Sequence, residues 1–264
     1  MNSVPPVVVK PSLENLLTAN WEHCRVILFS APCGCGKTTT AAALLRGRHC
    51  VSADAAETDF ASIRFPRNCE AVLIDNLQQL TDPTRQQALV ELIRCRTELH
   101  FVLLGRCRVP GWLMPFQVSG LMLVLDTEAL LLDRASARRM LEGAGLNVSP
   151  DDMTAIQQDF KGYPLSLAFL CAHLEPDAPY TRAVFDACRR DLFVYYDDAV
   201  FRRFDEPLRQ LLVSLAPFGT FTVELARMVS GDPHAGERLG LLQRDTAMLL
   251  AEGLDSFRFW PIFR

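Results

Sequence analysis

Nine consecutive residues of the 264-residue chain, Ala31-Pro32-Cys33-Gly34-Cys35-Gly36-Lys37-Thr38-Thr39, combine the residue types that grip a polyphosphate. Glycines let the backbone turn until successive N–H groups converge on phosphate oxygens. The lysine brings a compact positive charge to the β and γ oxygens, and the hydroxyl of Thr38 is placed to ligate magnesium. The run lies between an apolar segment, Arg25–Ser30, that reads as a strand and an alanine- and leucine-rich segment, Lys37–Arg46, that reads as a helix. This is the context a Walker A loop requires. The pattern's first glycine is replaced by Ala31, while Gly34, Gly36 and the Lys37-Thr38 pair remain. The expectation is an ATP- and magnesium-binding loop spanning Ala31 to Thr39.

Two further positions bear on phosphate chemistry. Asp75 ends the apolar run Ala71–Ile74, and a carboxylate at the end of such a strand can hold magnesium through a water. Thr38 and Asp75 are therefore the candidate metal ligands. The alternative for Asp75 is a capping residue of the next turn. The residue after it is Asn76, where many P-loop ATPases place a second acid to polarise water. An amide has no basic form near neutral pH, so slow hydrolysis is expected, with bound nucleotide marking a state. Arg106 follows the apolar run His100–Gly105 and can either reach a γ-phosphate or stand as a surface arginine at a strand end.

Elements must bring these positions together. His49–Ser52 and Leu121–Leu125 read as the remaining strands and Thr84–Arg94 as a helix begun by Asp82-Pro83. Short buried apolar runs separated by helices predict a parallel sheet covered on both faces, an α/β domain over residues 1–128. Helical periodicity follows over Thr127–Gly143, Ser149–Lys161 and Pro164–Leu174, giving a small helical domain over 129–176. Residues 177–264 carry helices at Tyr180–Leu192, Glu206–Ala216, Val223–Val229 and Arg238–Arg244. A hairpin of Met248–Ala251 and Ser256–Trp260 around Gly253 closes that segment, an order that reads as a winged-helix-like module.

Bulk properties narrow the class. The net charge of −4 gives no general attraction to nucleic acid. Apolar stretches such as Leu121–Leu125 fall short of the roughly 18 residues of a membrane span, and no signal peptide is visible at the N-terminus. Nine cysteines without a CxxC pair fit reduced thiols in a cytoplasm.

Val9-Lys10-Pro11-Ser12-Leu13, the Ala31–Thr39 loop, the Leu73-Ile74-Asp75-Asn76 strand end and Leu103-Leu104-Gly105-Arg106 together resemble the STAND class of signal-transduction ATPases. They look closest to LuxR-type transcriptional activators related to the maltose-regulon activator. In that family the loop commonly begins with Ala-Pro, as Ala31-Pro32 does here. Ser52–Phe60 is similar to the family's acidic segment, and Lys161-Gly162-Tyr163-Pro164-Leu165 to its GxP signature. The resemblance implies a three-part nucleotide switch in which ADP holds the parts closed and ATP plus an inducer opens them for self-association. It further implies that Arg106 senses the γ-phosphate and that Pro164 lies at the adenine side. Three departures stand out. Asn76 replaces an acid, Trp260 stands where the family carries a histidine near the phosphates, and the helical repeats and DNA-binding helix-turn-helix of the family do not fit in this length.

Other residues carry blander readings. Cys33 and Cys35 fit a tight loop, though their oxidation would block it. The histidines at 23, 49, 100, 173 and 234 are scattered and read as structural. The aromatic runs Phe193–Tyr196 and Phe257–Trp260 read as core or hairpin packing, while Asp197-Asp198 and Arg202-Arg203 read as solvated helix faces. Ser214 lacks the context of a hydrolase nucleophile. The sequence thus favours an ATP-binding regulatory module, with a P-loop kinase or working ATPase as the alternative. DNA binding by this chain alone is not expected, since Arg238–Arg244 offers two arginines beside Glu237 and Asp245.

Overall fold

Alternation within the apolar strands explains how the sheet acquires two covered faces. The computed structural model describes residues 6–246, 248–253 and 255–259. Strands β1 (Val26–Ser30), β2 (Cys50–Asp54), β3 (Ala71–Asp75), β4 (His100–Gly105) and β5 (Met122–Leu125) form one parallel sheet in the order β2-β3-β4-β1-β5. Successive side chains leave a strand on opposite faces. Val26, Leu28, Val72, Ile74, Phe101 and Leu103 accordingly pack in one cluster, while Ile27, Phe29, Ala71, Val102 and Leu104 pack in another. The central β1 and β4 are buried almost throughout, whereas the edge strand β2 alternates and is partly exposed.

The first face is covered by α3 (Pro83–Cys95), whose Leu89, Val90 and Ile93 are buried, and by the short α4 (Met114–Val118). The second is covered by α1 (Pro11–Trp21) and α2 (Lys37–Leu44). Helix α1 is not among the sequence expectations. Its signal is the spacing of Leu13, Leu17 and Trp21, which lie one above another on a helix and are all buried against Ile27 and Phe29.

The expected helix over Thr127–Gly143 is corrected to two, α5 (Thr127–Leu130) and α6 (Arg134–Gly143). Asp126 caps the first and Asp133 the second, each carboxylate accepting from a first-turn amide, so two start signals compete within one periodic stretch. Between them Leu131 is extended, and the Leu132 N–H leaves the helical pattern to donate to the Gly162 carbonyl at 2.8 Å. Helix α7 (Pro150–Phe160) begins as expected, with Ser149 as its cap and Pro150 in the first turn. Helices α8 (Pro164–His173) and α9 (Arg182–Ala199) follow. The latter is corrected in extent, for it continues through the aromatic run to residue 199. Leu141, Met153, Ile156, Leu167, Leu170 and Cys188 join α6 to α9 in a third core.

The C-terminal segment has its own core. Helices α10 (Glu206–Leu215), α11 (Val223–Ser230) and α12 (Ala235–Asp245) pack on a small antiparallel sheet of β6 (Phe221–Thr222), β7 (Leu249–Ala251) and β8 (Ser256–Phe259), ordered β6-β8-β7. The expected hairpin is present, with Leu249 opposite Phe259 and Ala251 opposite Phe257. Trp260 lies outside the described residues. The domain order expected from the sequence, a P-loop sheet, helices and a winged helix, is the order observed.

Gly162 meets the backbone of Leu132, a member of the third core, at the turn between α7 and α8. It has φ +75°, and a Cβ there would stand 2.0 Å from the Leu132 carbonyl oxygen. Gly162→Ala is expected to destabilise the chain by about 2 kcal/mol or more, read as a lowered midpoint in urea unfolding.

Candidate functional site

Strand β1 delivers the phosphate loop from the middle of the sheet. After Ser30 the chain turns through Gly34 and Gly36, both left-handed at φ 83° and 79°, and enters α2 at Lys37. No side chain caps α2, so the amides of its first turn face outward for an anion. The Lys37 ammonium is buried and folds back on its own loop, donating to the carbonyls of Ala31 at 2.6 Å and Pro32 at 2.7 Å. Burial holds its pKa below the ordinary lysine value, and nearby Arg106 acts the same way against the opposing charge of Asp75.

The loop opens onto a cavity of about 480 Å³, a size suited to a small-molecule ligand. Strand order builds its polar wall. Because β4 runs between β1 and β3, Arg106 emerges between the loop and Asp75, and all three line the cavity with Thr38 and Thr39. Asp75 keeps one carboxylate oxygen on the Asn76 amide at 2.6 Å, and no hydrogen bond among the described residues engages the other. Thr38 is exposed toward the same space. A hydroxyl and a free carboxylate oxygen are oxygen donors of the kind magnesium takes alongside phosphates, so this pair fits that ion. The apolar wall comes from Val8, Val9, Leu130, Leu132, Met140 and Pro164.

Asn76 is held in a left-handed conformation at φ 57°. Its amide nitrogen donates to Asp54 at 2.8 Å, and its oxygen accepts from Gln78 at 3.3 Å. Gln78 in turn accepts the backbone N–H of Arg106 at 3.0 Å. A chain of side-chain hydrogen bonds thus runs from the edge strand to the arginine across the carboxyl end of the sheet.

The loop is also gripped from outside the sheet. Pro164 opens α8 close above it, with Leu165 N–H donating to the Gly34 carbonyl at 3.1 Å. A Cβ on Gly34 would meet Leu165 and the Tyr196 hydroxyl within 3 Å, so glycine is required there by space as well as by φ. The Cys33 carbonyl accepts from the Tyr163 and Tyr196 hydroxyls, each at 3.3 Å. The Cys35 thiol donates to Tyr163 at 3.0 Å, and the Cys33 sulfur lies 3.2 Å from the Tyr195 hydroxyl. Burial pushes the Cys35 thiol up to about 11, a protonated and unreactive state, and burial likewise raises Tyr163 and Tyr196. Tyr195 is pushed up to about 12, chiefly by its contact with Cys33.

These contacts correct the reading of Phe193–Tyr196 as core packing. Phe193 is 77% exposed, and the two tyrosines are spent on the loop. Gln78, Tyr163, Tyr195 and Tyr196 escaped the sequence reading. Only Tyr163 carried a signal, its place inside the Lys161–Leu165 run. Arg202 pairs with Asp197 at 2.8 Å and with Asp198 while staying exposed, in keeping with a solvated face. Of the histidines, His100 stacks on Trp21 and His173 bonds to Asp191 at 2.7 Å, both away from the cavity lining.

Comparison with known proteins bears on both ends of the chain. The family model for the MalT winged helix domain matches residues 197–264. The structure is similar to the Walker-type ATPase PABY2304 of Pyrococcus abyssi, with a TM-score of 0.66 at 14% identity over 96% of this chain and 93% of that one. It is also similar to the Thermotoga maritima RuvB Holliday junction branch migration motor, with a TM-score of 0.53 at 17% identity over 96% and 93% of the two chains. No curated protein matches. The chain therefore joins a P-loop ATPase fold to a MalT-type winged helix domain, in agreement with the resemblance read from its motifs.

The depressed Lys37 gives a pH signature. Phosphate oxygens favour the charged ammonium, so binding raises a pKa that burial had lowered. Between the depressed value and the higher bound value, nucleotide binding is expected to take up a proton, an effect that fades at pH values below the depressed one, where the ammonium is charged in both states. Calorimetry over a series of pH values, each in two buffers of different ionisation enthalpy, would measure it, and Lys37→Met should abolish it.

Proposed function

We propose that this chain is an ATP-binding regulatory switch module of a LuxR-like transcriptional regulator. ATP or ADP with magnesium would occupy the loop from Ala31 to Thr39. The amides and Lys37 would hold the phosphates, Thr38 and Asp75 the metal, and Arg106 the terminal phosphate. Pro164 and the apolar wall would pack on the adenine side. The domain division is proposed as 1–128, 129–176 and 177–264.

The observation that carries this reading is the seating of three tyrosines on the phosphate loop. Tyr163 belongs to the turn that opens α8, and Tyr195 and Tyr196 to the last turns of α9, next to the winged helix. A ligand that moves the loop must act on these contacts, which supplies the differential interaction a switch needs. An enzyme acting on a separate substrate has no need of such a clasp.

Asn76 supports slow turnover. Its amide is committed to Asp54 and Gln78, and it supplies no base for an attacking water. Direct DNA binding by this chain receives no support from Arg238, whose guanidinium is held by Asp232 at 2.8 Å and Asp205 at 3.1 Å. Self-association in the ATP state and a cytoplasmic setting complete the proposal. Among the described residues no helix is long and apolar enough to cross a membrane.

Two measurements test the reading. Lys37→Ala is expected to weaken ATP binding about 100-fold or more in titration calorimetry, since a buried charge-assisted contact is lost with no substitute. Single-turnover kinetics should give hydrolysis far below the roughly 1–10³ s⁻¹ of ordinary enzymes. Turnover of several per second without a partner would contradict the switch.

A further inference from the structure

Behind Pro32 and Cys33 lies a second cavity of about 160 Å³. One side is formed by the phosphate loop, Gln78 and Arg106, and the other by Arg203, Phe204 and Met248. Arg106 thus faces both cavities. No carboxylate lines the second cavity among the described residues.

That absence matters because nothing in the cavity lining offsets the two guanidinium charges. Arg202, one residue before, is paired with Asp197 and Asp198, and Arg238 with Asp205 and Asp232. Neither Arg203 nor Arg106 has an acidic partner within ion-pair distance among the described residues. Arg203 ends a single helical turn, Phe201–Arg203, just past α9, exposed on one side and lining this cavity on the other. Both arginines lie near enough to the Tyr195 hydroxyl to oppose the rise in its pKa. Two like charges sharing a small cavity repel, and an anion between them converts that repulsion into two charge-assisted contacts.

We propose that this cavity is a second anion site, in which Arg106 and Arg203 close from opposite sides on one phosphate-sized dianion. The inference rests on the reading of the adjoining loop as a polyphosphate site. Two sources share the chemistry: the terminal phosphate of a bound triphosphate reaching past Cys33, and free inorganic phosphate. Gln78 holds the Arg106 backbone in register at 3.0 Å, and the forked guanidinium of Arg203 can present two N–H groups to two oxygens. Either source ties the winged-helix end of the chain to the sheet through an anion. Exchange of ADP for ATP then does not by itself release that end, and a separate signal is needed to do so.

The test uses the full nucleotide-free chain and titration calorimetry with magnesium, comparing wild type with Arg203→Ala, Arg203→Lys and Arg202→Ala. Three titrants separate the sources: ADP, ATPγS, and inorganic phosphate added to the ADP-bound chain. If the terminal phosphate is the occupant, Arg203→Ala lowers ATPγS affinity about tenfold or more and leaves ADP within about twofold. If free phosphate is the occupant, the same variant loses phosphate binding to the ADP-bound chain while ATPγS is unchanged. In both cases Arg203→Lys recovers only part of the loss, and Arg202→Ala behaves as wild type. The proposal is overturned if Arg203→Ala binds all three titrants as wild type does, or loses them all by one common factor. Lys37→Ala run alongside separates the two readings. Loss of nucleotide there with no Arg203 effect removes the second site alone, whereas unchanged nucleotide binding in Lys37→Ala removes the loop reading and this site with it.

Discussion

The carbonyl oxygen of Cys33 accepts two hydroxyl hydrogen bonds, from Tyr163 and Tyr196, and through it a loop built by the sheet is held by helices that do not belong to the sheet. Net, a hydrogen bond of this kind contributes on the order of 1 kcal/mol. Its weight here comes from position. It sits just before the two left-handed glycines and the lysine that must grip phosphate, so anything that displaces the loop disturbs it. Gly34 is confined on the same side by Leu165 and Tyr196, which leaves the loop little freedom apart from the helices.

The rest of the site follows from strand order. A parallel sheet places the carboxyl ends of its strands along one edge, and ligands of such sheets bind there. With β4 between β1 and β3, the loop, Arg106 and Asp75 fall in a row, and the hydrogen-bonded line from Asp54 through Asn76 and Gln78 braces that row from behind. Lys37 waits on carbonyl oxygens that are weaker partners than phosphate, so its buried charge is satisfied without being locked. The arrangement favours retention of a polyphosphate and offers no base for rapid hydrolysis.

Much of this was legible in the residues because local chemistry dictates it. Glycines, lysine and threonine in the 31–39 run can do little else between a strand and a helix. The apolar runs of β1, β3 and β4 likewise name central strands, and Ser149-Pro150 names a helix start. What escaped depends on distance in the chain. Tyr195 and Tyr196 reach a loop some 160 residues earlier, as the spacing of 162 and 163 positions to Cys33 shows, and no local pattern announces such a contact. Helix α1 was overlooked because a proline and a lysine stand at its start without a capping side chain. The break at Leu131 was hidden because helical periodicity persists across it, while the reason for it, the bond to Gly162, lies thirty residues on.

The central claim is that occupancy of the phosphate loop governs how the end of α9 and the turn after it sit against the sheet. Amide hydrogen exchange over residues 190–204, followed with ADP and with ATPγS plus inducing conditions such as raised protein concentration, tests it most directly. The account predicts that the protection of these amides differs between the ADP and triphosphate states, with residues 150–160 unchanged as an internal reference. Identical exchange over 190–204 in both states, with both nucleotides shown to be bound, would contradict it.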